Sequence, residues 1–460
     1  MKSRVVILLF TIVSFFVISN TARNWNWWVF KWDKSGYHLY LPALLVYNDI
    51  TKLEFYSYID DAYKPSDGLR NYALTELENG NRVNKYAIGV AVRELPFFAA
   101  THFLNLHFIH DLPDGYCRPY QWGAIISNLF WTVMGLLITR SFLRRHFSDT
   151  VTAVTLLALS FGTNIYHYTV FSPCMAHNYL FFDFALAIFC TDRLYSRGAK
   201  KDFYLLGLAL GFVGITRVTD LVVVLIPLLW GLNSKAALRQ RLTFLKGNML
   251  HLAGGAFVFF CVMMLQMGYW KYVTGLWIYN GYVDEGFVWS EPAIWEGLFG
   301  FRKGWFIYTP LAVFAVWGIY SMRKRFSQHI PAFIIFMVVN IYIIFSWWNW
   351  WYGGSFGSRP MLESLAILSL PFATFVEGIV LQARKSVQYS AGILLVLLCA
   401  LNMFQSYQLS KNVIHWDAMT RKYYFRTFLK LKPTEDDMRY LLTDGEKFDE
   451  LKRRLDKVKK

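Results

Sequence analysis

The sequence predicts an all-α integral membrane protein with about eleven transmembrane helices and a large external loop after the first of them. Of its 460 residues, 55% are hydrophobic and 19% aromatic, whereas only 17% are charged, a composition unusual for a soluble domain. Long apolar runs recur as far as residue 406, and each is close to the ~20 residues that a helix needs to cross the hydrocarbon layer. Lysine and arginine collect in short clusters between these runs, as expected of cytoplasmic loops.

The charge and cysteine patterns argue against a nucleic-acid partner and against a cysteine-bound metal. The formal net charge is +16, but no nucleic-acid-binding motif accompanies the basic clusters, so we expect a lipid bilayer and no nucleic acid as partner. The five cysteines show no CxxC motif and no zinc-ligand spacing, and no metal site is predicted. No cofactor is indicated with certainty, and the sequence leaves a divalent cation open.

The basic clusters set the predicted topology. Lys2 and Arg4 precede the first apolar run, and both they and the cluster at 140–145 should be cytoplasmic. An even number of crossings must separate two cytoplasmic points. We therefore expect 86–108 to lie on or partly in the membrane without spanning it, which makes 21–118 one external loop with juxtamembrane helices.

The remaining crossings follow from the same rule. The run 202–232 would be ~46 Å long as one helix, too long for a single span, so it is predicted to cross twice with an outer hairpin at 216–220. The first helix covers 5–19, and the others are expected at about 121–139, 150–169, 177–192, 247–268, 305–321, 330–346, 363–381 and 388–406. A second external loop is predicted at 269–304. The charged tail 407–460, also predicted external, should pack on that face or form an appendage that fits an acceptor.

Five short motifs lie in order along the chain: 32–43, 84–89, 214–217, 299–310 and 350–359. Together they resemble motifs of the GT-C superfamily of polytopic glycosyltransferases, which includes the protein O-mannosyltransferases and the lipid A aminoarabinose transferases. The resemblance covers 1–406 and implies a transmembrane catalytic domain. It also implies a polyprenyl-phosphate-linked sugar as donor and a catalytic acid in the first external loop.

Asp33 is the predicted catalytic acid. Inverting transfer needs a base that takes the proton of the acceptor hydroxyl, and Asp33 follows the first helix in the position that the resemblance implies. Many members of the superfamily have two adjacent acids there, whereas Lys34 follows Asp33 in this chain. The alternatives are a solvated Asp33 beside Lys34, or the pair Asp60 and Asp61 in a polar turn.

Cations are needed to stabilise the departing phosphate. The candidates are Lys85, Arg359, Arg217 and Arg302, with Lys303 beside Arg302 as an alternative, since arginine offers a planar fork and lysine a compact charge. Each also has a structural interpretation. Arg217 is as well explained by pairing with Asp220, while Arg302 and Arg359 also suit anchoring at the lipid headgroups.

Sugar or acceptor contacts are the least specified part of the site. The candidates are Tyr37, His177, Asp183, Glu285 and Trp351. His177 and Asp183 stand near where many relatives place a second acid, and Asp284 and Glu291 are alternatives to Glu285. The tryptophans at 25–28 and 347–351 are mostly expected to form an interfacial belt, although one of the second group, Trp351, is placed to stack on a sugar.

The predicted function is transfer of a monosaccharide from a polyprenyl-phosphate donor to an acceptor hydroxyl on a glycan, lipid or protein, with inversion. The predicted location is a bacterial inner membrane, with the site facing the periplasm. The alternative is a transporter or flippase of a lipid-linked sugar or another anionic lipid. That class favours internal repeats and polar groups near mid-membrane. The sequence shows no repeat, and its polar segments collect on one face.

Overall fold

The computed structural model describes residues 1–23, 29–283 and 285–458 of the chain. Helices dominate these residues, and the predicted all-α membrane class is confirmed. The predicted tryptophan belt at 25–28 and the candidate Asp284 lie outside the described residues.

The first half of the chain contains eleven of the α-helices that the structure describes. In chain order they are α1 (Lys2–Arg23), α2 (Asp33–His38), α3 (Tyr40–Leu45), α4 (Tyr56–Tyr63), α5 (Gly89–Leu104), α6 (Arg118–Leu143), α7 (Asp149–Phe161), α8 (Asn164–Val170), α9 (Ala176–Arg197), α10 (Lys201–Thr216) and α11 (Leu225–Leu229). A π-helix at Asn105–Ile109 extends α5, and a 3-10 helix at Val218–Val224 leads into α11. Strands β1 (Leu74–Glu76) and β2 (Arg82–Asn84) pair antiparallel between α4 and α5.

The second half continues with α12 (Lys235–Gly247), α13 (Met249–Thr274), α14 (Ile294–Phe299), α15 (Trp305–Tyr308), α16 (Leu311–Ser321), α17 (Ile330–Ser346), α18 (Ser364–Gln382), α19 (Lys385–Ser410), α20 (Arg421–Thr427), α21 (Glu435–Met438) and α22 (Asp444–Val458). Short 3-10 helices lie at Met322–Lys324, Ser327–His329 and Arg359–Met361. The last of these connects the loop after α17 to α18.

Six helices of the described part are long and apolar enough to cross a membrane. They are α1, α6, α13, α17 with the 3-10 turn before it, α18 and α19. Each coincides with one of the predicted apolar runs. In the described residues, only six of the eleven predicted crossings are therefore matched by a single apolar helix long enough to span the membrane.

Two of the five other predicted crossings are divided by local sequence signals. The run 150–169 is interrupted after α7, where the Thr163 hydroxyl accepts a hydrogen bond from the Ile165 backbone N–H and starts α8. In the run 305–321, Pro310 separates the four residues of α15 from α16. Proline removes a backbone donor and so interrupts a helix.

The remaining three crossings fail for other reasons. The run 202–232 leaves its first helix at Arg217, which has an extended φ of −153°, and continues as the 3-10 helix and the five residues of α11. A break therefore falls inside the predicted hairpin at 216–220. Helix α9 has 22 residues but carries Asp183 and Asp192, which make it too polar for a simple lipid-facing span.

Helices α9 and α18 occupy the centre of the bundle. Helix α9 packs against α6, α10 and α18, and α18 packs against α7 and α16 as well. The most apolar stretch of α18 is 67% buried, whereas that of α19 is 11% buried and that of α13 is 17% buried. The outer helices thus present apolar surface to their surroundings, as lipid-facing helices do.

Helices α10 and α13 approach each other through glycines. Gly207 and Gly211 lie one turn apart on α10, and a Cβ atom at Gly207 would lie 2.0 Å from the Gly255 carbonyl oxygen of α13. Small residues spaced by four allow such close contact between membrane helices.

The C-terminal tail packs against two loops of the bundle. The Arg454 guanidinium of α22 is buried and donates to the backbone carbonyls of Glu291, Trp347 and Trp348. The tail is therefore docked on the loops that follow α13 and α17. The side of the membrane on which it lies stays a prediction.

Candidate functional site

Asp33 is the first residue of α2 and is held at a sharp turn of the backbone. Trp32, which precedes it, has a φ of +53°, a conformation that costs energy in any residue other than glycine. The Trp32 backbone N–H donates to the Pro65 carbonyl at 2.9 Å. Its ring packs edge-on against Tyr72, with 5.0 Å between the ring centroids. These contacts direct the Asp33 carboxylate towards the chain segment around β2.

Tyr86 contacts this carboxylate from the segment after β2. A Cβ atom at Gly36 would lie 2.2 Å from the Tyr86 ring, so only glycine allows the ring to lie against α2. The Tyr86 hydroxyl then donates to Asp33 Oδ1 at 2.7 Å. Asn84 fixes the arrangement, since its side chain donates to the Gly36 carbonyl at 2.6 Å and accepts from the Tyr86 N–H at 3.0 Å.

Arg359 reaches the other carboxylate oxygen from the opposite end of the chain. Its Nη2 donates to Asp33 Oδ2 at 2.7 Å, and both side chains are 16% exposed. The Arg359 Nε atom is buried and has no hydrogen-bond partner among the described residues, and the same holds for the neighbouring Ser358 hydroxyl. Unpaired buried polar atoms beside a charged pair are often found at functional sites.

The loop before Arg359 is fixed by contacts to the bundle. The Phe356 backbone N–H donates to the Tyr168 hydroxyl at 2.9 Å. The Asn164 side-chain amide donates to the Ser358 carbonyl at 3.3 Å. These contacts lie directly before the 3-10 helix, and so the backbone that carries Arg359 is positioned by α8.

Lys85 adds a second cation next to Asp33. Its ammonium lies 4.2 Å from the centre of the Tyr72 ring and 3.4 Å from Glu285 Oε1. The other carboxylate oxygen of Glu285 accepts a hydrogen bond from the Trp348 indole at 3.1 Å. Glu285 thus connects Lys85 to the loop after α17.

The pKa of Asp33 reflects two opposing effects. Burial raises the pKa, but three other effects lower it by more: the charge of Arg359, the hydrogen bond from Tyr86 and the charge of Lys85. The net pKa is below the usual value. Asp33 is therefore ionised at neutral pH and paired with Arg359.

A second polar group surrounds Arg217 at the end of α10. Its Nη1 lies 3.4 Å from Glu363 Oε1, and its Nε lies 3.6 Å from Asp220 Oδ2. His177 Nδ1 lies 3.1 Å from the other oxygen of Glu363. Glu363 immediately precedes α18, and burial raises its pKa to about 7, although Arg217 lowers it.

Tyr37 lies between the two groups. Burial raises its pKa, Asp33 raises it further, and Arg359 and Arg217 act in the opposite direction. The charges of both polar groups therefore act on the Tyr37 hydroxyl. The structure brings together seven of the ten predicted site residues, in two neighbouring groups: Asp33, Lys85, Arg359, Tyr37, Glu285, Arg217 and His177.

Asp183 lies elsewhere, inside the bundle. It forms an ion pair with Arg93 of α5, and both side chains are almost fully buried. From the sequence, Arg93 and Glu94 in the run 86–108 are expected to face water or headgroups. They are instead buried, at 3% and 2% exposed. Glu94 accepts a hydrogen bond from the Tyr179 hydroxyl at 3.0 Å, and His38 Nδ1 lies 3.2 Å from its second oxygen.

Arg302 and Trp351 also lie apart from Asp33 and belong to the contact with the tail. Arg302 donates to Asp417 at 2.9 Å and to Glu450 at 2.8 Å. Its guanidinium lies 3.7 Å from the centre of the Trp351 ring. Because these partners already occupy the Arg302 donors, we leave both residues out of the candidate site.

Sequence reasoning missed several residues that complete the two groups. Glu363 could have been noticed as an acid at the start of an apolar run, where carboxylates are costly and often functional. Tyr72 has no such signal, since it stands in a polar loop between α4 and β1 and reaches the site only through the fold.

The residues that the structure describes contain no group of three or more His, Cys, Asp or Glu side chains able to hold a metal ion. No protein-family model and no curated protein matches the sequence. The resemblance to the GT-C superfamily therefore rests on the motifs of this chain.

Proposed function

We propose that the protein is a membrane glycosyltransferase that transfers a monosaccharide from a polyprenyl-phosphate donor to an acceptor hydroxyl. The observation that carries the proposal is the convergence of one ionised carboxylate, Asp33, with the cations Arg359 and Lys85. These groups come from three separate segments of a bundle with six apolar helices of membrane-spanning length. A base next to phosphate-binding cations is what such a reaction needs.

In the proposed reaction, the acceptor oxygen attacks the anomeric carbon while its proton passes to an Asp33 carboxylate oxygen. The bond between the anomeric carbon and the phosphate oxygen breaks, and the lipid phosphate leaves with the bonding electrons. Arg359 and Lys85 stabilise the negative charge on that phosphate. Attack from the face opposite the leaving group inverts the anomeric configuration.

In the proposed reaction, binding of the donor changes the basicity of Asp33 through the Asp33–Arg359 pair. Without an anion, Arg359 holds the pKa of Asp33 low, which makes the carboxylate a weak base. A donor phosphate bound to Arg359, whose Nε atom lacks a described partner, would neutralise that cation. The pKa of Asp33 would then rise, and its carboxylate would become a better base when the donor is in place.

The proposal extends to the predicted location, with the site at the outer, periplasmic face of a bacterial inner membrane. The motif order and the side of the loops rest on sequence alone. A cysteine-accessibility test at Gly354 and Ser234, both of which are exposed, checks the orientation. The first should label from outside and the second only from inside.

The alternative, a transporter or flippase of an anionic lipid, is supported by different observations. Arg93 and Asp183 form a charged pair inside the bundle, and helices are interrupted at Thr163 and Arg217. Buried charges and broken helices are frequent in transporters.

The deciding experiment measures transfer from radiolabelled polyprenyl-phosphate sugars in proteoliposomes. We compare the wild type with Asp33→Asn and, as a matched control, Asp61→Asn, whose side chain is 63% exposed. Loss of a positioned base should reduce turnover by ~10²- to 10⁴-fold in Asp33→Asn, with donor binding retained, and Asp61→Asn should behave as wild type.

Full turnover in Asp33→Asn would refute the assignment of Asp33 as the base. If the wild type transfers no sugar from any donor but moves label across the bilayer, the transporter is the better description.

A further inference from the structure

The C-terminal tail presents a basic and apolar surface that the proposed reaction does not use. Helix α20 and the residues after it expose three large apolar side chains, Phe425, Leu429 and Leu431, at 60%, 70% and 67%. A shallow surface groove, open to its surroundings, is lined by Arg421, Lys422, Phe425 and Arg426. We call it the α20 groove.

The cations of the α20 groove differ in their partners. Arg426 pairs with Asp436 and Asp437. Arg421 and Lys422, in contrast, form no ion pair with any residue that the structure describes. Each lies against an aromatic ring, Arg421 6.0 Å from the centre of Phe301 and Lys422 3.8 Å from the centre of Tyr440. The groove therefore carries two uncompensated positive charges beside an exposed Phe425.

The position of α20 places this surface at the end of a membrane-spanning helix. The Gln405 side chain of α19 donates to the Tyr424 hydroxyl at 2.8 Å, and the Gln408 side chain donates to the Thr427 carbonyl at 2.9 Å. Helix α19 has 26 residues and is thus ~39 Å long, about 9 Å more than the ~30 Å hydrocarbon layer. This excess length and the polar Gln405 and Gln408 in the last turns of α19 indicate that this end of the helix, and α20 with it, lies at the level of the lipid headgroups.

We propose that the α20 groove binds the headgroup of an anionic phospholipid of the surrounding bilayer. Arg421 and Lys422 bind the lipid phosphate, and Phe425, Leu429 and Leu431 contact the upper part of the acyl chains. Clusters of cations next to a transmembrane helix attract anionic lipids, and exposed apolar side chains at the same level insert into the interface. A free phosphate ion uses only the two cations and leaves the apolar residues in water.

Hydrogen exchange of the full chain in nanodiscs tests this proposal. Discs of phosphatidylcholine alone are compared with discs in which part of the lipid is phosphatidylglycerol. We expect the backbone amides of 421–432 to exchange about tenfold more slowly with phosphatidylglycerol, an effect that two surface cations can supply. The variant R421E/K422E should lose this difference.

The matched control is K452E/R453E, which reverses two exposed cations of α22 outside the α20 groove and should keep the difference. If R421E/K422E does not fold, the neutral variant R421Q/K422Q replaces it. The proposal is overturned if anionic lipid leaves exchange at 421–432 unchanged in the wild type. It is also overturned if inorganic phosphate added to phosphatidylcholine discs gives the same protection, since the groove then binds a free anion.

Discussion

Two arginine–aspartate pairs, Asp33–Arg359 and Arg93–Asp183, join distant parts of the chain, but their surroundings differ. Asp33 and Arg359 are each 16% exposed, while the arginine Nε atom lacks a described partner in both pairs. Arg93 and Asp183 are 2% and 1% exposed, and the guanidinium is surrounded by aromatic rings, those of Trp131, Phe182 and Phe212.

The difference shows how the same two residue types serve two purposes. A pair enclosed by rings and helices has no route to a competing anion, and it fixes α5 against α9. A pair at the edge of the buried region can exchange one partner for a ligand. We therefore expect Arg93–Asp183 to govern stability and Asp33–Arg359 to govern binding and turnover.

The largest effect on stability is expected at the enclosed pair. Asp183→Asn leaves the Arg93 charge buried without a counter-charge, and breaking such pairs typically costs ~3–5 kcal/mol in the free energy of unfolding. Thermal unfolding in detergent measures it, with Asp33→Asn as the comparison. An Asp33→Asn variant that is less stable than Asp183→Asn would contradict the division of roles.

Binding should depend on the open pair. Charge-assisted hydrogen bonds contribute ~1.5–3 kcal/mol, so Arg359→Ala should weaken binding of a polyprenyl phosphate by about 10- to 100-fold. Arg359→Lys keeps the charge but loses the planar fork and should fall in between. Equal affinity in all three proteins, measured by titration in detergent, would remove Arg359 from the phosphate site.

An effect that depends on pH is expected at Glu363. Its pKa of about 7 in the folded protein lies above the usual 4.5, so between these values the folded state holds a proton that the unfolded chain has released. Stability from this group is fully present below pH 4.5 and is lost as the pH rises through about 7.

Glu363→Gln should therefore flatten the fall in melting temperature between about pH 5 and 8. The charged and titratable groups around Glu363 are Arg217, His177, Asp220 and Arg359, and all of them remain in the variant. Glu377→Gln, near the other end of α18, is the matched control and should keep the wild-type slope. An unchanged slope in Glu363→Gln would assign the pH dependence to another group.

The smallest effect is expected where an arginine–aspartate pair is open to water. Arg70 and Asp61 are 67% and 63% exposed, and pairs of this kind contribute about 0–1 kcal/mol. Arg70→Ala should leave the melting temperature and the transfer activity near wild type. A loss of stability as large as that of Asp183→Asn would mean that the exposure of these pairs does not predict their contribution to stability.

The sequence allowed the membrane class, six of the apolar helices and most members of the site to be predicted, because these depend on local composition and on charges at the ends of apolar runs. Asp33, Lys85 and Arg359 could be singled out in this way. The count of crossings failed at positions such as Thr163, Arg217 and Pro310, where single residues divide long apolar runs.

Tertiary structure decided which charges pair with which. Nothing in the local sequence separates Arg302, which binds the tail through Asp417 and Glu450, from Arg359, which binds Asp33 326 positions away. Hydropathy and residue type are properties of short segments, so the sequence alone determined that this is a helical membrane protein with cations and carboxylates near its helix ends. The partner of a charge depends on which helices pack together, and only the folded bundle determines that.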